Sequence, residues 1–351
     1  MNSASTSLRP LGRVRSNLEG VFKSKLYSDT LLVLRVLLYL DRVVLNFAKI
    51  SIPLLVAVFL VRGFVNGTLI PYSITFIVNW LGERGRGDFY SGVVLMTVSG
   101  ALFAVTEVAL MAYFKKLTRS IVALKENIIS TITTARRSTQ DTPEDLVGKI
   151  ASDVDFAVWN INAVLTTLLP NLFTAITALI TLYSFEHSVG LVATATITPY
   201  LLYAEVYARR VDAYRTLERK TYAQSLVYIR DIVYSGGPSR DLRRVLADWE
   251  YSVNKILWLD RLYFTASFIT ALLSASAISL LATRRVLEGR LSLGALSGVV
   301  YASITAHFAA LNAMWALCIQ GQTTIVLRRI LSYLQVAGSR AETAQLTVVA
   351  R

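Results

Sequence analysis

The sequence is poor in the residues that carry most enzyme chemistry: it has one cysteine, two histidines, and only 17% charged residues. A lone Cys318 excludes an intrachain disulfide and cannot by itself build a thiolate metal cluster. With His187 and His307 as the only histidines, and no carboxylates at ligand spacing beside them, a histidine metal site is not expected. No Ser/His/Asp arrangement stands out. A phosphate-binding loop of the type G-x-x-x-x-G-K-[ST] is also missing, because the Gly148–Lys149 pair has neither the upstream glycine nor the Ser/Thr that would follow. The chain is therefore expected to be non-catalytic, with no cofactor of its own. No cleavable leader is expected either, since the first apolar run follows a polar, basic segment.

What is abundant is hydrocarbon. Of 351 residues, 54% are hydrophobic and the mean hydropathy is +0.50, a composition of multi-spanning membrane proteins. A net charge of +13 would suit nucleic acid, but the basic residues flank apolar runs. They read as topology determinants and contacts to anionic headgroups, and no nucleic-acid-binding module is present. The expected class is an all-α membrane protein in the cell (plasma) membrane, embedded in the lipid bilayer.

Residues 1–42 read as a cytoplasmic N-terminus ending in a helix at 31–40 that lies in the membrane interface, too short to span and interrupted by Arg35. Six spans follow within 43–334: about 43–69, 93–114, the apolar end of 142–185, 189–208, 262–282 and 295–317. The expected outer loops are 82–92, a few residues around Glu186 and His187, and 283–294; Trp80, Tyr90, Tyr183 and Phe185 read as interface anchors.

Two spans do not stop at the membrane. After the second, Leu117, Ile121, Leu124, Ile128 and Ile132 continue an apolar stripe at helical spacing. The returning helix has a strong start, with Thr142 as N-cap, Pro143 at the first position and Asp145 at the third. Running to Phe185, it would be roughly 65 Å long against about 30 Å of hydrocarbon. The fourth span behaves alike: Val211, Tyr214 and Leu217 lead outward, SGGP at 235–238 breaks the helix, and Leu242, Leu246, Trp249, Val253 and Ile256 lead back. The two cytosolic hairpins are thus expected at about 115–157 and 209–261, with a cytoplasmic tail at 335–351. About 25 Lys and Arg fall in the N-terminus and hairpins and about five in the outer loops, which puts both termini inside.

Three strings on this profile resemble the transmembrane domain of ABC exporters, the type IV fold. LVGKIASDVDFAVWNI at 146–161 resembles that family's segment opening its third helix, with Gly148, Ser152, Asp153, Val154 and Asp155 matching; EGRLSLGALSGVVYASI at 288–304 is similar to the entry to its sixth helix; and VLRRILSYL at 326–334 resembles its closing helix. The resemblance covers about residues 28–334. It implies alternating access driven by a separate nucleotide-binding (ATPase) subunit carrying ATP and Mg, and a second transmembrane subunit, identical or homologous. It also implies that the hairpin tips couple to the ATPase, which here means Arg136, Arg137 and Ser138 in the first and Tyr228, Ile229, Arg230 and Asp231 in the second.

Polar groups inside spans are costly, so Arg62, Asn66, Glu107, His307, Asn312 and Trp315 are the expected lining of a translocation pathway. The competing reading of Arg62, Glu107 and His307 is internal pairing or hydrogen bonding that holds helices together. A secondary transporter or channel, or a non-transporting scaffold on the same frame, are the rival functions.

Overall fold

A computed structural model describes residues 28–31, 47–82, 88–134, 143–235 and 240–337. The described residues are helical, with no strand among them. Helix α1 (Phe47–Phe64) passes through a π-helical turn (Val65–Leu69) into α2 (Ile70–Gly82). Five long helices follow: α3 (Phe89–Thr134), α4 (Pro143–Phe185), α5 (His187–Ser235), α6 (Arg240–Leu287) and α7 (Leu293–Ala337). Six of these segments, α1–α2 counted as one, are long and apolar enough to cross a membrane.

The first span differs from expectation. In place of a span ending near Leu69, the apolar segment runs from Ile52 to Gly82. The π turn explains the continuity: Pro71 has no N–H to give to the preceding turn, and the Ile70 N–H bonds the Val65 carbonyl in the wider π register. The 283–294 loop also contracts, because α6 continues to Leu287. It ends in a Schellman motif, with the Gly289 and Arg290 N–H groups bonding the Val286 and Arg285 carbonyls, each at 2.9 Å. Gly289 has φ +70°, where a side chain would be strained.

Helices α3 to α7 contain 43 to 49 residues, or about 64–74 Å at 1.5 Å per residue. Pro143 opens α4 as expected, while the Thr142 cap lies outside the described residues. Leu117 and Ile121 are buried on α3 as the stripe requires; the side chains of Leu124, Ile128 and Ile132 lie outside the described residues. On α6 the stripe is corrected at one position: Leu246 is 41% exposed, while Ser252 and Ile256 are buried, because the buried face turns past Leu246.

Helix α7 is the axis of the bundle. Ala302, Ala306, Ala310, Ala313 and Ala316 are all buried along it, and its longest packing runs against α4. Small side chains let helix backbones approach, which is how helices gain van der Waals contact when lipid removes the hydrophobic drive. The first two helices are seated by glycines. A Cβ on Gly63 would lie 2.6 Å from Phe173 Cβ, and one on Gly67 2.6 Å from the Ala178 nitrogen of α4. Gly294 and Gly298 of α7 likewise press on Thr75 and Asn79 of α2, and the Gly294 N–H donates to Asn79 Oδ1 at 2.8 Å. Both pairs are G-x-x-x-G spacings. The run-on of α7 is tied back to the N-terminal segment, where Thr324 donates to buried Asp29 at 3.4 Å. The expected interfacial helix at 31–40 lies outside the described residues except Leu31.

Candidate functional site

The six polar residues singled out inside the spans do not share one cavity. Arg62, near the end of α1, pairs with Glu107 of α3 through its terminal nitrogen. Its Nε donates to Thr106 Oγ1 at 3.0 Å, and the Phe103 ring lies 4.7 Å from its guanidinium carbon. Arg62 is thus held between two helices, which is the internal-pairing arrangement. Asn66 sits half-buried in the π turn.

His307 and Asn312 lie on one helix, five residues apart. At 3.6 residues per turn they are separated by about 140° around α7, and their surroundings differ accordingly. His307 is fully buried: its Nδ1–H donates to the Ser303 carbonyl at 2.8 Å and its Nε2 accepts from Thr196 Oγ1 at 3.0 Å. The carbonyl can only accept, which places a proton on Nδ1, and in the neutral ring Nε2 is then the acceptor. Asn312, in contrast, opens onto a groove between α6 and α7 with Phe264, Thr265, Phe268, Phe308 and Leu311.

Trp315 lies one turn below Asn312, packed against Phe264, Tyr207 and Tyr263 at centroid separations of 4.6, 5.4 and 5.5 Å. Phe264 therefore joins the groove to the aromatic cluster, and Asn312 and Trp315 belong to one neighbourhood that excludes His307, Arg62 and Glu107.

The structure also contains a polar seam that sequence reading passed over. Thr196, Tyr200, Tyr203 and Tyr207 repeat at three- and four-residue spacing on α5. Tyr203 shares a hydrogen bond with Thr270 of α6 at 3.2 Å, Tyr207 donates to Asp260 of α6, and Tyr263 of α6 donates to the Leu311 carbonyl of α7 at 3.3 Å. The tyrosine period was the available signal.

At the short-turn end, arginines of the expected 283–294 outer loop are paired with carboxylates. Arg284 and Arg285 bond Glu288 at 2.9 and 2.8 Å, and Arg285 also reaches Glu186 at 3.6 Å. Hydrogen bonds from Arg285 and Arg284 hold the Glu288 carboxyl below its ordinary pKa. Trp80 stacks on Phe89 at 4.9 Å and Phe185 on Tyr72 at 4.9 Å, so the expected interface anchors gather at this end.

Of the hairpin-tip residues, Arg136, Arg137 and Ser138 lie outside the described residues. Ile229, Arg230 and Asp231 are exposed on the last turns of α5, with Tyr228 half-buried beside them; Arg230 and Asp231 pair at 3.3 Å. Among the described residues no group of three His, Cys, Asp or Glu could hold a metal ion. No protein-family model matches the chain, and no curated protein matches it.

Proposed function

We propose that this chain is the membrane-spanning subunit of an ATP-binding cassette exporter, forming one side of a translocation pathway that alternates its access, with ATP and Mg bound on a separate ATPase polypeptide. A second transmembrane subunit, identical or homologous, completes the pathway. The three family-like strings at 146–161, 288–304 and 326–334 support this reading, as does the alternation of very short turns with two long helical hairpins. Helices of about 64–74 Å cannot be contained in about 30 Å of hydrocarbon. Their charged ends would stand in the cytoplasm as levers.

The observation that carries the reading is the tip of α5. Val233 and Tyr234 are 74% and 85% exposed, with Ile229 and Leu226 exposed one and two turns before them. The charged run from Arg209 to Lys220 separates these residues from the apolar half of the same helix. An apolar cluster at the far end of a polar lever calls for a covering protein surface. In an exporter, that surface is a groove on the ATPase, and closure of the ATPase subunits would rock α5 and α6 as one rigid pair.

The test is reconstitution of the affinity-purified native complex in proteoliposomes. A co-purifying ATPase whose hydrolysis is required for substrate movement supports the reading, and Tyr234→Asp should abolish its capture. Substrate movement driven by an ion gradient with no ATPase present would overturn it.

A further inference from the structure

Many polar side chains within the spans of this protein find partners. Asn171 donates to the Thr167 carbonyl at 2.7 Å, Thr270 to the Ala266 carbonyl at 2.9 Å, and Thr181 to Thr68 at 3.0 Å. The Tyr200 and Ser303 hydroxyls have none but are sealed inside the bundle, whereas Thr265 of α6 and Asn312 of α7 lie open at its side. Neither side chain bonds any group among the described residues, and both face the same groove. Its volume is about 430 Å³, within the range of about 300–1,000 Å³ of small-molecule sites.

The rest of the groove is apolar and largely aromatic. Phe264, Phe268 and Phe308 form its walls, with the Phe268 and Phe308 rings edge to face at 5.5 Å. No charged side chain lines it, so an ionic ligand would lose its hydration with no counter-charge to replace it. The groove opens sideways, since Phe268 is 47% and its neighbour Ile269 52% exposed within the apolar stretch of α6. A ligand arriving there comes through hydrocarbon and must be soluble in it. The unpartnered amide and hydroxyl then set the remaining requirement: one hydrogen-bonding oxygen set in an apolar body.

We propose that the α6–α7 groove binds an uncharged lipophile bearing a single carbonyl or hydroxyl oxygen, its apolar rings or chain lying among Phe264, Phe268 and Phe308 and its oxygen held by Asn312, with Thr265 beside it. As a binding site it stands on the groove alone; its role as cargo site rests on the export reading.

Benzophenone meets the description, being an uncharged diaryl ketone, and it labels its surroundings on illumination. The full chain in phosphatidylcholine nanodiscs, with no ATPase or nucleotide present, should show saturable labelling concentrated on the segments 264–269 and 308–312. Excess benzanilide, an uncharged amide, should reduce that labelling at least fivefold. Anionic 4-benzoylbenzoate should label the groove at least fivefold less. Asn312→Leu should reduce groove labelling at least threefold while leaving the thermal midpoint and the background labelling of α3 unchanged; Thr265→Val should act in the same direction. Labelling spread evenly over exposed apolar positions such as Val105 and Val108, insensitive to benzanilide, overturns the proposal, as does protection of the groove by a second copy of the chain. If the variants fail to fold, the competition on the unmodified chain decides. Because no ATPase takes part, failure here leaves the export reading intact, and failure of ATP coupling leaves the groove intact.

Discussion

Arg62 on α1 and Glu107 on α3 are joined as an ion pair across two helices, with only 14% of the Arg62 side chain exposed against 54% of that of Glu107. The arginine is the committed partner. Removing the carboxylate leaves a nearly buried guanidinium held by Thr106 and the Phe103 and Phe59 rings, with no counter-charge described beside it. Glu107→Ala should therefore cost about 2–3 kcal/mol, whereas the double change Arg62→Met with Glu107→Leu should recover most of that loss. Thermal unfolding of the two singles and the double in one detergent, treated as a double-mutant cycle, measures the difference. If both are pathway residues and nothing more, the single change will alter transport and leave the melting point where it was.

The glycine contacts predict a graded series. Gly67→Val should destabilise by about 2 kcal/mol or more, because a Cβ there meets backbone atoms of α4 that cannot yield. Gly100 has nothing within 4 Å of a would-be Cβ, so Gly100→Ala should be neutral or raise stability by about 0.5–1 kcal/mol. Melting temperatures of the two variants should move in opposite directions, or one should not move at all.

His307 depends on Thr196. With the proton fixed on Nδ1 by the Ser303 carbonyl, Nε2 needs a donor, and Thr196→Val removes it while keeping the shape. The buried acceptor left behind should cost about 1–3 kcal/mol, and Thr196→Ser should restore most of it. A histidine that instead serves a transported ligand would show the loss in transport alone.

Glu288 gives a pH signature. Its folded-state pKa is depressed by Arg285 and Arg284 from the ordinary value of 4.5, so the ionised carboxylate is favoured by folding. The stabilisation is complete above that ordinary value and is lost as pH falls through the lower, folded-state one. The melting temperature should accordingly drop with acidification in this window, and Glu288→Gln should flatten the drop without changing the high-pH slope.

Much of the helical layout was legible in the chain. Pro143 marks the start of a helix because its missing N–H is harmless there, and the apolar stripe through Leu117 and Ile121 announced that α3 outlasts any membrane. What single-chain periodicity could not supply was rotation about each helix axis. His307 and Asn312 looked equivalent as polar residues in one span; only the neighbours α5 and α6 assign one to the interior and the other to a groove. Arg62 and Glu107 were visible as a charge pair, but whether Arg62 could reach depended on where α3 lies. The G-x-x-x-G spacings at Gly63 and Gly294 stand in the sequence, but their meaning needs a partner helix. The π turn had the weakest signal: Pro71 gives a reason for an irregularity without saying which one.

That turn has a consequence for how the chain tolerates length changes. An α-helix advances by about 100° per residue, and the π turn takes up one additional residue between Val65 and Leu69 without passing that rotation on to the helix beyond it. Excising one residue there would restore an unbroken α-helix with Thr75 and Asn79 still turned toward Gly294 and Gly298, whereas tightening the turn to α with every residue kept would rotate them away by about a quarter of a revolution. The π turn thus works as a spacer that keeps two separately seated half-helices in step, α1 on α4 and α2 on α7.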